Sequence, residues 1–108
     1  MVDLDPVRGA AANKRRPAVI VSNDAANGAA ASLGRGVLTV VPVTSNVDRV
    51  HPFQVLLPAG AGGLPQDSKA QAEQVRALDV ERIGEPLGRL SDQLVASLDG
   101  ALRLHLVL

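Results

Sequence analysis

The chain contains no cysteine, no tryptophan and no tyrosine, and Phe53 is its one aromatic side chain. Without cysteine there are no disulfides, thiolate nucleophiles or thiolate metal ligands, and a reducing compartment suits the chain. Without aromatics, the core has to be assembled from Val, Leu, Ile and Ala, each of which buries less area than a ring. A chain of 108 residues built this way gains from a partner subunit that covers more of its surface. Net charge is also missing, with 11 Lys and Arg against 11 Asp and Glu. A protein that coats nucleic acid over a wide face shows a larger basic excess. No window is long and apolar enough to span a membrane. The start, Met1-Val2-Asp3-Leu4-Asp5-Pro6, is acidic and lacks the apolar stretch of a signal peptide. The expected location is the cytoplasm, with no membrane partner. Hydrophobic residues at 46 % argue against disorder, and the length suits one domain spanning 1–108.

The charges that are present are unevenly spread. Residues 1–50 carry six Lys and Arg against four Asp and Glu, and residues 51–108 carry five against seven. The basic excess gathers in Arg8, Lys14, Arg15 and Arg16, so contact with nucleic acid or an acidic partner should be local. Arg15 and Arg16 stand at the mouth of an apolar, β-branched strand, Ala18 to Ser22, closed by Asn23-Asp24. A second strand, Val37 to Val43, follows Gly34-Arg35-Gly36 and runs into Thr44-Ser45-Asn46. If the two strands pair, guanidinium groups at the start of one and hydroxyls at the end of the other could converge on a phosphate.

The remainder is short strands and one helix. Phe53 to Leu57 predicts a strand that stops at Pro58, and Ala59-Gly60-Ala61-Gly62-Gly63 a flexible turn. Ser68 to Leu78 alternates apolar and polar residues; strand is favoured over helix. The alanine-rich stretch Asp24 to Ala31 has room for a helical turn. At the end, Ser91 is a good N-cap, Asp92 suits the positive helix terminus, and Leu90 and Val95 are spaced for a hydrophobic staple. Leu94, Leu98, Ala101, Leu102 and His105 follow helical spacing, interrupted by Gly100. No repeat or domain linker is visible.

Ordinary roles compete with each candidate residue. Arg15 and Arg16 also read as solvated charges flanking a strand, and Thr44 as a strand-end hydroxyl bonded to local backbone. Asn46 suits a turn. Phe53 could stack a base, but as the lone aromatic it is favoured for the core. His51 reads as a loop or surface residue without a catalytic role. The carboxylates show no metal-ligand spacing, so no metal and no cofactor is expected.

Six segments, in order and spacing, carry a resemblance. They are Asp3-Leu4-Asp5-Pro6, Arg8-Gly9, Arg16-Pro17, Ser22-Asn23-Asp24, Val43-Thr44-Ser45-Asn46 and Asp67-Ser68-Lys69 with Glu73-Gln74-Val75-Arg76. Together they resemble MazF/PemK toxins, the ribonuclease halves of bacterial toxin–antitoxin pairs. The resemblance runs through the whole chain. It implies a mainly β fold with a C-terminal helix, a small SH3-like barrel of the MazF/CcdB type. It also implies a homodimer that cuts single-stranded RNA in short sequence contexts without a metal. The RNA's 2′-hydroxyl attacks the adjacent phosphorus, leaving a 2′,3′-cyclic phosphate and a 5′-hydroxyl. The family's catalytic arginine matches Arg16 and its catalytic threonine matches Thr44. Candidate RNA contacts are Arg8, Lys14, Arg15, Asn46, Phe53, Glu73 and Gln74, although an internal hydrogen-bond network would explain Glu73 and Gln74 equally. A cognate, MazE-like antitoxin is the implied partner.

Two departures from the family pattern stand out. The chain begins, at Val2-Asp3-Leu4, near the end of the family's first strand, so that strand is expected to be largely missing and a sheet edge left unpaired. The position after Gly9, commonly serine, is Ala10. Two other readings remain open. One is a catalytically inactive RNA- or antitoxin-binding remnant. The other is a CcdB-like toxin that binds gyrase without nuclease chemistry, against which the ending Leu106-Val107-Leu108 counts, since that family depends on a C-terminal tryptophan motif.

Overall fold

One eight-residue strand has three partners, and the sheet is organised around it. The structure is a computed structural model and describes residues 2–3, 15–22, 28 and 36–108. Its strands are β1 (Val2–Asp3), β2 (Arg15–Arg16), β3 (Ala18–Ile20), β4 (Val37–Thr44), β5 (Gln54–Leu57), β6 (Ser68–Gln71) and β7 (Arg76–Asp79), and its C-terminal helix is α1 (Asp92–Leu106). All pairings are antiparallel. On one side of β4 lies β3, with Ala18 opposite Pro42 and Ile20 opposite Val40. On the other side lie both β7, with Val40 opposite Arg76, and β6, with Val43 opposite Ala70. β5 completes the path β3-β4-β6-β5, and β1 pairs with β2. The fold is therefore mainly antiparallel sheet with a C-terminal helix, and its hydrogen-bonded path is open among the described residues rather than a closed barrel.

Pro42 sits where β4 changes partner. Proline has no N–H to donate to a ladder, which usually bars it from a central strand. Odd-numbered residues of β4 bond to the β3 side, as Val43 N–H to Pro17 C=O at 3.0 Å and Val21 N–H to Thr39 C=O at 2.9 Å indicate. The missing donor of Pro42 therefore points toward β6 and β7, at the place where their registers differ by three residues. Those residues form a 3-10 turn, Ala72–Gln74. The alternation from Ser68 to Leu78, expected as one strand, is thus two strands hinged by this turn.

The two faces of the sheet bury different clusters. Val41, Val43, Val55, Leu57, Ala70 and Ala72 pack with Leu64 and with Leu98 and Ala101 of α1. The opposite face buries Val40 and Leu78 with Ala18 and Ile83 against them. Removing the side chain of a fully buried leucine such as Leu57 typically costs about 2–5 kcal/mol. Phe53 belongs to neither cluster, contrary to its expected place in the core.

Local chemistry explains how α1 starts and stops. Ser91 accepts a hydrogen bond from Leu94 N–H at 3.2 Å, an N-cap, and Asp92 occupies the first turn. Leu94 and Leu102 flank the buried Leu98 and Ala101, as helical spacing requires. Leu90 packs on the core whereas Val95 stays exposed. The helix ends with Val107 in the left-handed region (φ 59°), where Leu108 N–H reaches back to Arg103 C=O at 3.0 Å.

The glycine-rich segment, expected as a flexible turn, is a closely packed one. Ala61–Gly63 forms a 3-10 turn with Gly63 at φ 80°, and a Cβ there would collide with the Leu87 carbonyl oxygen. A Cβ on Gly88 would stand 2.7 Å from the Gly62 carbonyl. Glycine on both sides lets the segment leading into α1 lie directly on the turn. The alanine-rich segment 24–31 lies outside the described residues save Gly28.

Gly100 is exposed within α1 and a Cβ there meets no atom within 4 Å. Gly100→Ala should therefore raise unfolding stability by about 0.5–1 kcal/mol in urea melts, because alanine is the better helix former. Gly63→Ala should lower it in the same measurement. Stabilisation by both substitutions would contradict the close approach of Gly63 to Leu87.

Candidate RNA-cleavage site

The register of β3 on β4 positions the first pair of functional side chains. Continued by two residues, the Ala18–Pro42 pairing sets Arg16 opposite Thr44, and β2 does contact β4. Residues directly opposite in an antiparallel pair share a face, with Cβ atoms about 4.5–5.5 Å apart. Arg16 and Thr44 accordingly line one cleft of about 240 Å³. Ser45, Gln66 and Ser68 add polar groups to it, and Pro17, Val43, Leu64 and Pro65 form its apolar wall. The guanidinium side is exposed and the Thr44 side half-buried, so a bound anion would meet Arg16 from solvent and Thr44 at the floor.

The Thr44 hydroxyl is oriented by the loop that follows it. Its Oγ1 accepts from Asn46 N–H at 3.2 Å, which leaves its own proton available to a ligand. Asn46 Oδ1 in turn accepts from Asp48 N–H at 3.2 Å. The local-backbone and turn roles weighed for Thr44 and Asn46 are thus observed, and for Thr44 they coexist with a place in the cleft. Asn46 is exposed and does not line it.

The other candidates form a second neighbourhood at the far end of loop 45–53. Phe53 is half-buried and stacks on His51, with ring centroids 5.1 Å apart and planes at 10°; His105 of α1 lies 6.4 Å away. Gln54 ties this corner together. Its Oε1 accepts from His51 N–H at 3.0 Å, and its Nε2 donates to Glu73 Oε1 at 2.7 Å. Glu73 Oε2 is buried with no partner. The internal network weighed for Glu73 is therefore present, while Gln74 is exposed beside it on the 3-10 turn. Arg8 and Lys14 lie outside the described residues, as does the Arg15 side chain.

Sequence reasoning missed Gln66 and Ser68 in the cleft, Gln54 in the network, and the role of Lys69. The segment Asp67-Ser68-Lys69 was the available signal. Each member ties down a different piece of chain: Asp67 Oδ1 accepts from Ala59 N–H at 2.8 Å, Ser68 Oγ donates to Gln66 C=O at 2.9 Å, and Lys69 Nζ donates to Arg49 C=O. A larger, mainly apolar groove of about 380 Å³ runs beside the outer edge of β3 and shares Pro17, Val43 and Leu64 with the cleft. It carries Arg89 and Asp92 but neither Arg16 nor Thr44, so its size does not make it the reactive site. Among the described residues, no group of three or more His, Asp or Glu is placed to hold a metal ion. No helix among them is long and apolar enough to cross a membrane.

Comparison with known proteins adds the family. A family model described as PemK-like, MazF-like toxin of type II toxin–antitoxin system matches residues 1–106. The chain belongs to this family. A Mycobacterium tuberculosis protein named endoribonuclease MazF9 is 62 % identical over 105 residues, which cover 97 % of this chain and 89 % of that protein. The crystal structure of MazF from Deinococcus radiodurans superposes with a TM-score of 0.74 at 29 % identity, covering 99 % of this chain and 90 % of that one. A MazE–MazF structure from the same organism gives a TM-score of 0.70 at 33 % identity, covering 87 % and 84 % of the two chains. In this MazF-family chain the cleft thus joins Arg16 and Thr44, the two residues singled out by motif.

The Gln54–Glu73 pair carries a stability prediction. Gln54→Leu leaves the Glu73 carboxylate without its donor in a half-buried place, and should cost about 1–3 kcal/mol in urea unfolding. Glu73→Gln, which keeps the shape and removes the charge, should be milder when combined with Gln54→Leu than Gln54→Leu alone. Equal losses in the two proteins would sink the unpaired-carboxylate explanation.

Proposed function

We propose that this MazF-family endoribonuclease cuts single-stranded RNA in short sequence contexts, without a metal, by attack of the RNA's own 2′-hydroxyl. The observation that carries the proposal is that Arg16 and Thr44 line one cleft, where the register of β3 on β4, continued by two residues, sets them opposite each other. The 2′-oxygen bonds to phosphorus as the bond from phosphorus to the 5′-oxygen breaks. The 2′-hydroxyl gives up its proton, and the departing 5′-oxygen takes one. The products are a 2′,3′-cyclic phosphate and a 5′-hydroxyl.

Charge builds on the non-bridging oxygens during this exchange. A guanidinium offers them a planar fork of donors that stays charged throughout, which assigns Arg16 to charge stabilisation rather than proton transfer. Thr44, its oxygen already engaged by Asn46 N–H, points its proton at a phosphate oxygen and holds the phosphorus in line for attack. Apolar Pro17, Val43, Leu64 and Pro65 restrict water around the reacting group. Asn46, Phe53, Glu73 and Gln74, with Arg8, Lys14 and Arg15, are assigned to RNA contact. The Phe53 ring, held by His51 at the surface rather than in the core, offers a face to a base.

The active form is proposed to be a cytoplasmic homodimer neutralised by a cognate antitoxin. An acidic, extended antitoxin segment would meet the basic cluster from Arg8 to Arg16. It would continue into the apolar groove that shares Pro17, Val43 and Leu64 with the cleft. The MazE–MazF structure of the Deinococcus radiodurans relative supports an antitoxin as the partner.

The test is incubation with a long single-stranded RNA in excess EDTA, followed by mapping of the cut ends. Discrete cuts with 5′-hydroxyl ends are expected, with kcat/KM lowered on the order of 10²–10³-fold in Arg16→Ala. Thr44→Val should also cut poorly while keeping the wild-type melting temperature. Undiminished cutting by Arg16→Ala, or no cutting by the folded wild-type protein, would overturn the proposal.

A further inference from the structure

Lys69 is a buried cation with no part in the chemistry above. It is only 9 % exposed, and it stands opposite Thr44 from the β6 side, while the continued register of β3 sets Arg16 opposite Thr44 from the other side. Arg16, Thr44 and Lys69 thus occupy one row across the sheet, with their side chains on one face. Arg16 is exposed toward the cleft, whereas Lys69 is sunk and its Nζ donates to the Arg49 carbonyl at 2.5 Å.

Arg49 is the middle of loop 45–53. The loop is held at its start by Thr44, Asn46 and Asp48, and at its end by Gln54 bonding to His51 and Glu73. Lys69 supplies the anchor between. Burying an ammonium is costly, and an apolar residue of similar length would fill the space without that cost. What the apolar residue cannot supply is a charge-assisted bond to main chain, which holds a backbone position whatever side chain that position carries.

We infer that Lys69 is a positioning residue for RNA recognition, fixing the main chain of loop 45–53 beside the Thr44 hydroxyl so that nucleotides flanking the cut meet a loop of one shape. The inference rests on the nuclease reading above. It separates a recognition function from simple packing, because Lys69→Met keeps a stem of similar volume and removes the ammonium together with its bond to the loop.

Wild-type protein, Lys69→Met and Lys69→Arg are compared on an RNA oligonucleotide carrying a mapped cut site, and on the long RNA. Lys69→Met should raise KM about tenfold with kcat within about threefold of wild type, and should cut the long RNA at additional sequences. Lys69→Arg, which retains a charged donor, should restore most of the KM and the original cut pattern. Amide hydrogen exchange over 45–53 should quicken in Lys69→Met and not in Lys69→Arg, with α1 equally protected in all three proteins. If Lys69→Met fails to fold, Lys69→Gln replaces it in the same comparisons. Unchanged exchange and unchanged KM in the neutral variant would overturn the inference, as would a loss confined to kcat. Wild-type protein that cuts no RNA would overturn the nuclease reading, and the exchange experiment would still decide whether Lys69 holds the loop.

Discussion

Everything positioned in this molecule depends on how β4 divides its hydrogen bonds. Its eight residues accept β3 along one edge and share the other between β7 and β6. That division puts one strand at the centre of both apolar clusters and delivers Thr44 to the sheet's end between two cations. The strand can do this because it is almost wholly apolar and β-branched, and because its only proline falls where the ladder is already broken. A strand with a donor at position 42 would offer an N–H to a gap containing a turn, and a buried donor left unpaired is costly.

The chemistry that follows is economical in residue types. The polar lining of the cleft is one guanidinium, from Arg16, three hydroxyls, from Thr44, Ser45 and Ser68, and the Gln66 amide. The proposed reaction makes sense of that set, since in it RNA brings its own nucleophile. Under that proposal the protein has to hold a phosphate in line and absorb charge. Both tasks are geometric, so the side chains that brace loops matter as much as those that touch the phosphate.

Much of this was legible in the sequence where interactions are local. Ser91, Asp92 and the spacing of Leu94, Leu98 and Ala101 announced α1, because caps and helical periodicity act within a turn or two of the chain. Strand ends at Arg16 and Thr44 were also visible, and their convergence followed once pairing was assumed. What was hidden was register. Residues 68–78 alternate plausibly as one strand, and Ala72-Glu73-Gln74 contains neither glycine nor proline to mark a break. Phe53 misled for a related reason. Its apolar area argued for the core, but it stacks on His51, two residues before it, with His105 of the distant α1 beside it at the loop's mouth. The glycines at 62 and 63 were legible as a turn and not as a close contact, since Leu87 and Gly88 approach them only in the folded chain.

The 3-10 turn between β6 and β7 has a further consequence. In β6 the even-numbered Ala70 faces the helix, whereas in β7 the even-numbered Leu78 faces the opposite cluster. The three-residue offset is odd, so it inverts which face each parity serves. This lets a single stretch of chain feed apolar side chains to both sides of one sheet. The turn's length is therefore quantised: gaining or losing two residues preserves the inversion, while a change of one puts Ala77 or Asp79 in the place of Leu78.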